Sequence, residues 1–340
     1  DFNVSNDLRR GGNMFDKPAH FADIAEEINT DIVGGSLNFD YFTKNYLNKF
    51  SIYTNLQKTN SANYYGTEQD PFGYGSTNDL TQLLGGQHTV KFEETWGESL
   101  ELTSGFEYKY NTISEKRENI IANDILQTIE TIGIFTQMDW KLTPKLKLLT
   151  GLRQEFFKSN LRNENLFVLN PRMSVLYNLT EKISLRTSYA NGFRAPQFFS
   201  DDIHAEIITG EVRNVILSED LKPEKSDSFM ASAEYNHTID DSQLIVTLEG
   251  FYTQLNKPFI YENRGNINGF AIKEKINGEM AYVKGLNVEF KYTPNNNLLV
   301  QLGATVQQGK YSQTYTPEVG ISTKTFLRTP NIYGNAILNY

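Results

Sequence analysis

The chain has 340 residues, a formal net charge of -9 at pH 7, 39% hydrophobic residues and no cysteine. Without a basic run, that acidic balance argues against a nucleic-acid partner, and without cysteine there is no disulfide framework, thiolate metal site or cysteine nucleophile. No stretch approaches the ~20 apolar residues of a membrane helix, yet 19 Tyr and 22 Phe against 2 Trp and 5 Met leave spanning by strands open, because only every second residue of a barrel strand faces lipid.

Asp1 opens the chain with no signal peptide before it, as in a mature protein or an excised piece. Residues 1–32, "DFNVSNDLRRGG…", read as a long loop following the stub of an earlier strand. From there period-two alternation predicts about 13 strands, at 33–42, 46–58, 87–96, 100–112, 128–142, 146–157, 167–179, 183–191, 225–238, 243–262, 280–293, 298–311 and 328–340. In "LELTSGFEYKY", Leu100, Leu102, Phe106, Tyr108 and Tyr110 share one face, and Glu101, Thr103, Glu107 and Lys109 the other. In "AYVKGLNVEFKY", Tyr282, Leu286, Val288, Phe290 and Tyr292 stand opposite Asn287, Glu289 and Lys291.

Short and long connections alternate between these strands. Tight turns fall near 43–45, 97–99, 143–145, 180–182, 240–242 and 294–297, with long polar segments near 59–87, 114–127, 192–225, 263–280 and 313–327. An up-and-down transmembrane barrel has this layout, one rim trimmed and the other carrying loops. Aromatics gather at the short turns: Tyr41, Phe42, Tyr46, Phe92, Trp96, Trp140, Tyr177, Tyr235, Phe290 and Tyr292. They predict an interfacial girdle, although Tyr and Phe also favour strands in general. An odd strand count is foreign to single-chain bacterial barrels, so it points to a miscount or a fragment. A propeller would show a repeat of ~40–50 residues, and none is visible.

The stretch "TSYANGFRAPQFF" marks where strand 183–191 meets the long-loop rim. Pro196 cannot donate a ladder hydrogen bond, so pairing should stop there. Gly192 lets the strand bend. By parity Arg186 and Arg194 belong to the inward set, where Arg194 would offer a cation to carboxylates of whatever fills the lumen. This box, Gly192, Phe193, Arg194, Ala195 and Pro196, is followed by "SEDLKPEKSDSF", with Leu221, Lys222, Pro223 and Glu224. Together they resemble the barrel of TonB-dependent outer-membrane receptors, although Ser218-Glu219-Asp220 departs from the usual Asn-Pro start of the second box. "DDIHAEIITGE" and "RRGGNMFDKPAH" resemble Bacteroidetes-type members.

That resemblance implies an all-β, antiparallel up-and-down transmembrane barrel of 22 strands with a plug in its lumen, of which this chain would be a central to C-terminal part without the plug. It implies an outer-membrane location and active uptake of a scarce nutrient. The partners implied are the TonB energy-coupling complex, the protein's own plug, outer-membrane lipid and a small metal chelate or vitamin. A ferric siderophore is the first choice of ligand, with cobalamin or haem as alternatives and glycan import less favoured. A passive porin-like barrel or a soluble β-rich binding protein are the readings outside the family. Lumen and plug-contact candidates are Glu101, Glu107, Lys109, Arg153, Glu155, Arg172, Arg186, Arg194, Glu249, Glu289 and Lys291, each with ordinary solvated wall charge as the plainer reading. On the expected loop 59–87, Tyr64, Tyr65, Phe72 and Tyr74 could stack on a planar ligand, or be misplaced girdle residues. His204 is a candidate haem contact, and Asp201 with Asp202 a weak metal site lacking cage spacing. No Gly-rich phosphate loop, Gly-x-Ser-x-Gly or His-Glu-x-x-His occurs, the four histidines are scattered, and neither catalysis nor a cofactor is expected.

Overall fold

The computed structural model describes residues 1–66, 69, 73–93, 97–117, 124–161, 165–198, 213–267, 270–295, 297–318, 321–327 and 329–340. Their elements are β1 (Phe2–Gly12), a 3-10 turn (Ala19–Phe21), β2 (Ala25–Phe42), β3 (Asn48–Gly66), β4 (Tyr74–Glu93), β5 (Ser99–Arg117), β6 (Ile125–Thr143), β7 (Leu146–Ser159), β8 (Leu166–Asn178) and β9 (Ile183–Arg194). They continue with β10 (Arg213–Leu217), β11 (Glu224–Ile239), β12 (Ser242–Asn256), β13 (Phe259–Ile267), β14 (Phe270–Asn277), β15 (Met280–Asn295), β16 (Leu298–Glu318), β17 (Ile321–Thr325) and β18 (Ile332–Asn339). No α-helix occurs among the described residues.

One antiparallel meander runs β1 to β9, then β11, β12, β15, β16 and β17, with β18 also on β16. β17 and β18 pair with the outer and inner halves of β16 and so share one position in the wall. The gaps in the sequence of strands are filled by a separate three-stranded sheet, β10-β14-β13, at the long-loop rim, in which β10 and β14 run parallel.

The registers sort the two faces, because directly opposed residues point the same way. Phe39, Ile52, Gly86, Phe106 and Ile134 form one cross-strand row, and its large members are all more than half exposed. One residue along, Asn38, Tyr53, Gly85, Glu107, Gly133 and Glu155 form a row on the opposite face. The first face is a lipid-facing band, in which moving each Phe, Ile or Leu out of water is worth about 1.5–3 kcal/mol. Below it Tyr41, Tyr46, Phe92, Tyr177, Tyr235 and Tyr292 lie exposed beside the short turns, with Trp140 and Phe290 half-buried on the same face; Phe42, opposite Lys49, falls on the inner face instead. Trp96 lies outside the described residues.

Three expectations need correction. Residues 1–32 are not a loop segment: Phe2–Gly12 pairs with the first half of β2 from Phe2↔Gly35 to Gly12↔Ala25. The wall therefore has one more strand than the predicted 13. The segment 59–87 is mostly strand, since β3 and β4 stay paired out to Tyr64↔Tyr74. Strands of 19 and 20 residues outrun the ~9–11 needed to cross a bilayer, so their outer halves stand above it. Residues 243–262 are two strands, broken where Lys257 adopts a φ of 56° and Pro258 cannot donate.

Buried apolar clusters are small and sit at the long-loop rim. One joins Ala19, Ala22, Ala25 and Tyr64, with Met14 and Tyr74 against it. The other joins Ile129, Phe157 and Ala195, with Leu166 and Phe193. A membrane wall needs no larger one, because lipid covers one face and the other looks into the lumen.

Candidate functional site

The two boxes that carry the family resemblance meet side by side. β9 pairs with β11 so that Arg194 is directly opposite Glu224, and Arg194 Nη2 lies 3.3 Å from Glu224 Oε2. Glu224 Oε2 also accepts the Phe259 backbone N–H at 2.8 Å, and the Arg194 guanidinium lies 5.0 Å from the Phe259 ring centre. Arg194, on the inward set by parity, thus has a carboxylate partner within the wall itself. Pairing ends at Arg194, one residue before the Ala195-Pro196 pair, as a proline without an N–H requires.

Beyond Arg194 the chain is pinned rather than released. Ala195 packs on Ile129 and Phe157, and Pro196 and Leu221 are fully buried. Gln127 on β6, only 2% exposed, holds the next residues: its Oε1 accepts the Phe198 N–H at 2.7 Å and its Nε2 donates to the Phe198 carbonyl at 3.3 Å. At the far box, Lys222 N–H donates to Asn277 Oδ1 at 2.6 Å, and Asn277 Nδ2 donates to the Lys222 and Lys257 carbonyls at 2.9 Å. Lys275, 1% exposed, reaches the Gln197 carbonyl at 3.4 Å and lies over the Phe259 and Tyr261 rings. The motif is a clamp on both feet of one long connection, tied to the small β10-β14-β13 sheet. Gln127, Asn277, Lys275 and Phe259 carry no sequence signal of this role; only the register brings them to the boxes.

On the inner face a polar bridge crosses five strands. Tyr53 Oη on β3 donates to Glu107 Oε1 on β5 at 2.7 Å, passing over Gly85 on β4. Arg153 on β7 reaches across Gly133 on β6 to Glu107 Oε2 at 2.7 Å and also meets Glu155 Oε1 at 2.6 Å. A Cβ on Gly85 would run into the Tyr53 ring, and one on Gly133 would lie 2.9 Å from Arg153 Cζ. The glycines are therefore the space through which the bridge passes. Arg172 on β8 repeats the device over Gly151, whose Cβ would lie 2.9 Å from Arg172 Nε, and bonds Gln137 on β6. These groups line a recess of about 660 Å³ that Asn170 and Ala190 also border.

The remaining sequence candidates scatter along this wall. Glu249 accepts from Asn287 Nδ2 at 2.9 Å, and Asn287 Oδ1 accepts from Thr305 at 2.9 Å. Glu289 lies opposite Thr247 and Gly303, and Arg186 opposite Leu176 and Ser232. Glu101 faces Lys91 at 3.5 Å. Tyr64 and Tyr74 are not on a free loop: their rings lie 4.8 Å apart, Tyr64 is 5% exposed, and His20 of the 3-10 turn sits against both. Tyr65 likewise belongs to β3, opposite Glu26. Phe72, His204, Asp201 and Asp202 lie outside the described residues.

A meander with short turns at one rim, long connections at the other, an apolar band edged by aromatics and a charged inner face defines the wall of an outer-membrane β-barrel. The chain belongs to the TonB-dependent receptor family: the family described as "TonB dependent receptor-like, beta-barrel" matches residues 1–340. Barrels of this family sit in the outer membrane of Gram-negative bacteria. Among solved structures it is similar to the Serratia marcescens hemophore receptor HasR, in complex with its hemophore HasA and heme, with a TM-score of 0.74 and 12% identity over 93% of this chain and 57% of that one. The siderophore receptor PirA of Pseudomonas aeruginosa follows with a TM-score of 0.66 and 13% identity over 86% and 52%. The alcaligin outer-membrane receptor FauA of Bordetella pertussis has a TM-score of 0.64 and 14% identity over 98% and 51%. At such identities the likeness is one of fold alone, and the chain spans little more than half the length of these structures. No curated protein matches by sequence.

Proposed function

We propose that the chain is the barrel wall of an importer that takes up a scarce iron chelate, a ferric siderophore first, with energy delivered through TonB. The observation that carries this reading is the family match over the whole of residues 1–340, and the siderophore receptors among the similar structures favour that ligand class. In this reading the wall supplies rigidity, its long-loop rim captures ligand, and its inner face seats a plug. The bridge of Tyr53, Glu107, Arg153 and Glu155, with Arg172, is the seat best formed for plug groups, because its side chains are held before anything docks. Arg186, Glu249 and Glu289 offer further charges lower on the same face.

The test is growth and uptake in a strain lacking the full gene and any redundant receptors, with iron chelates, haem and cobalamin each supplied as the limiting nutrient. Loss on a ferric siderophore alone supports the reading. Loss on haem or cobalamin alone keeps active import and replaces the ligand; no loss on any of them overturns both.

A further inference from the structure

The outward face of β11, β12, β15 and β16 changes character at its upper edge. There the registers line up Tyr189, Phe229, Tyr252, Lys284 and Gln308 in one row. One step further toward the long-loop rim they line up Asn191, Asp227, Gln254, Tyr282 and Lys310. Lys284 and Leu286 are two residues apart on β15 and so share the lipid side, where Leu286 is 55% exposed. Two cations therefore project from a lipid-facing surface, on adjacent strands, at the level where the apolar band gives way to aromatics. Diagonal neighbours of this kind are about 7–8 Å apart.

We propose that this patch binds a phosphorylated, acylated glycolipid of the outer leaflet. Three observations converge on it. First, neither Lys284 nor Lys310 has a carboxylate within ion-pair distance among the described residues, whereas Asp227, the acid beside them, is already engaged by Tyr189 Oη at 2.8 Å, Asn191 at 3.0 Å and Asn256 at 3.2 Å. An anionic headgroup would meet two cations whose charge no carboxylate among the described residues neutralises. Second, Lys284 stands on an aromatic floor: its Nζ lies 5.6 Å from the Tyr282 ring centre, and the Tyr282 and Tyr252 rings stack at 6.3 Å. Tyr252, Gln254 and Asn256 continue from there up β12 toward the long-loop rim as a chain of hydrogen-bonding groups, suited to sugar hydroxyls.

Third, an apolar trough starts beneath the lysines and runs down the band. Phe229, Ala231, Gly250, Leu286 and Val306 border its upper part, and Leu185, Ala233 and Leu248 its lower part, a hollow of about 470 Å³. Ala231, Ala233 and Gly250 keep it open by having little or no side chain, so an acyl chain can lie between the larger residues. Cations above and a trough below match a lipid with a phosphate at its head. The reading rests on outer-membrane placement and is independent of which nutrient is carried.

The full-length receptor, purified in detergent, is titrated with lipid A and separately with phosphatidylglycerol, and bound lipid is counted by native mass spectrometry. Lys284→Gln combined with Lys310→Gln is expected to weaken lipid A binding about thirtyfold, roughly fivefold for each lysine. The single variants carry the test if the double variant does not fold. Lys284→Arg with Lys310→Arg should keep binding, and Lys58→Gln, an outward lysine on β3 far from the patch, should leave it unchanged. Gly250→Leu, which fills the trough, should weaken it. Wild-type binding by the double Gln variant, an equal loss in Lys58→Gln, an unaffected Gly250→Leu, or phosphatidylglycerol binding as tightly as lipid A would each overturn the proposal.

Discussion

Replacing Gln127 by Ala removes both hydrogen bonds that hold Phe198 to the wall. The Phe198 N–H bond is well formed at 2.7 Å and the carbonyl bond long at 3.3 Å, and Gln127 is 2% exposed, so water does not readily replace them. Stranding a buried backbone group costs about 1–3 kcal/mol; counting the long bond at the low end, the pair contributes about 2–3 kcal/mol. That raises the local opening equilibrium roughly 30- to 150-fold. Exchange of the Phe198 amide, followed by mass spectrometry on the full receptor in lipid vesicles, reads that equilibrium directly. Gln127→Glu keeps an acceptor for the N–H but loses the donor to the carbonyl, so its exchange should fall between wild type and Ala. Unchanged protection in Gln127→Ala, or equal exchange in the Glu and Ala variants, would refute the clamp.

Other substitutions separate the two faces and the two boxes. Phe106→Arg places a charge in the middle of the lipid-facing band and should cost about 2–4 kcal/mol in folding into vesicles, whereas Thr103→Arg on the inner face should cost little. Gly285→Val puts a Cβ 2.5 Å from the Val306 carbonyl oxygen and 2.6 Å from Phe251 Cζ; since backbone cannot step aside, folded receptor in the outer membrane should fall sharply, judged by heat-modifiable mobility on gels. Glu224→Gln removes the charge that Arg194 faces at 3.3 Å but keeps an acceptor for Phe259. Because the Arg194 side of the pair is 47% exposed, although Glu224 is only 12% exposed, solvent screens the pair and the loss should be about 1 kcal/mol, visible as a small fall in thermal midpoint, with Glu224→Ala clearly worse.

The legible part of the fold was the part that lipid disciplines. Between Leu100 and Tyr110 one face must be apolar, so the alternation is plain. Above the bilayer that demand ends, and a ladder can continue with polar residues on both sides. "KTNSANYY" therefore reads as loop although it pairs residue by residue with β4 as far as Tyr64. "FNVSNDLRRGG" hides its strand for a related reason, since Asn6 and Arg10 interrupt the outward set of Phe2, Val4 and Leu8. The break at Lys257–Pro258 had a visible signal in the proline. The parallel pairing of β10 with β14 had none, because it joins segments separated by β11 to β13 in sequence. At the site, the boxes showed themselves as motifs, but the pairing of Arg194 with Glu224 depends on register, which local sequence does not specify across a 30-residue connection.

The glycines under the inner-face bridge set the relief of the inner face. Because Gly85, Gly133 and Gly151 have no side chain, Tyr53, Arg153 and Arg172 lie along the wall instead of standing out from it. A methyl group at any of these positions would tip a ring or a guanidinium toward the axis. How far the inner face stands out from the wall is thus set partly by residues that contribute no side chain to it, and a change as slight as Gly133→Ala would raise the Arg153 guanidinium from the wall without adding bulk of its own.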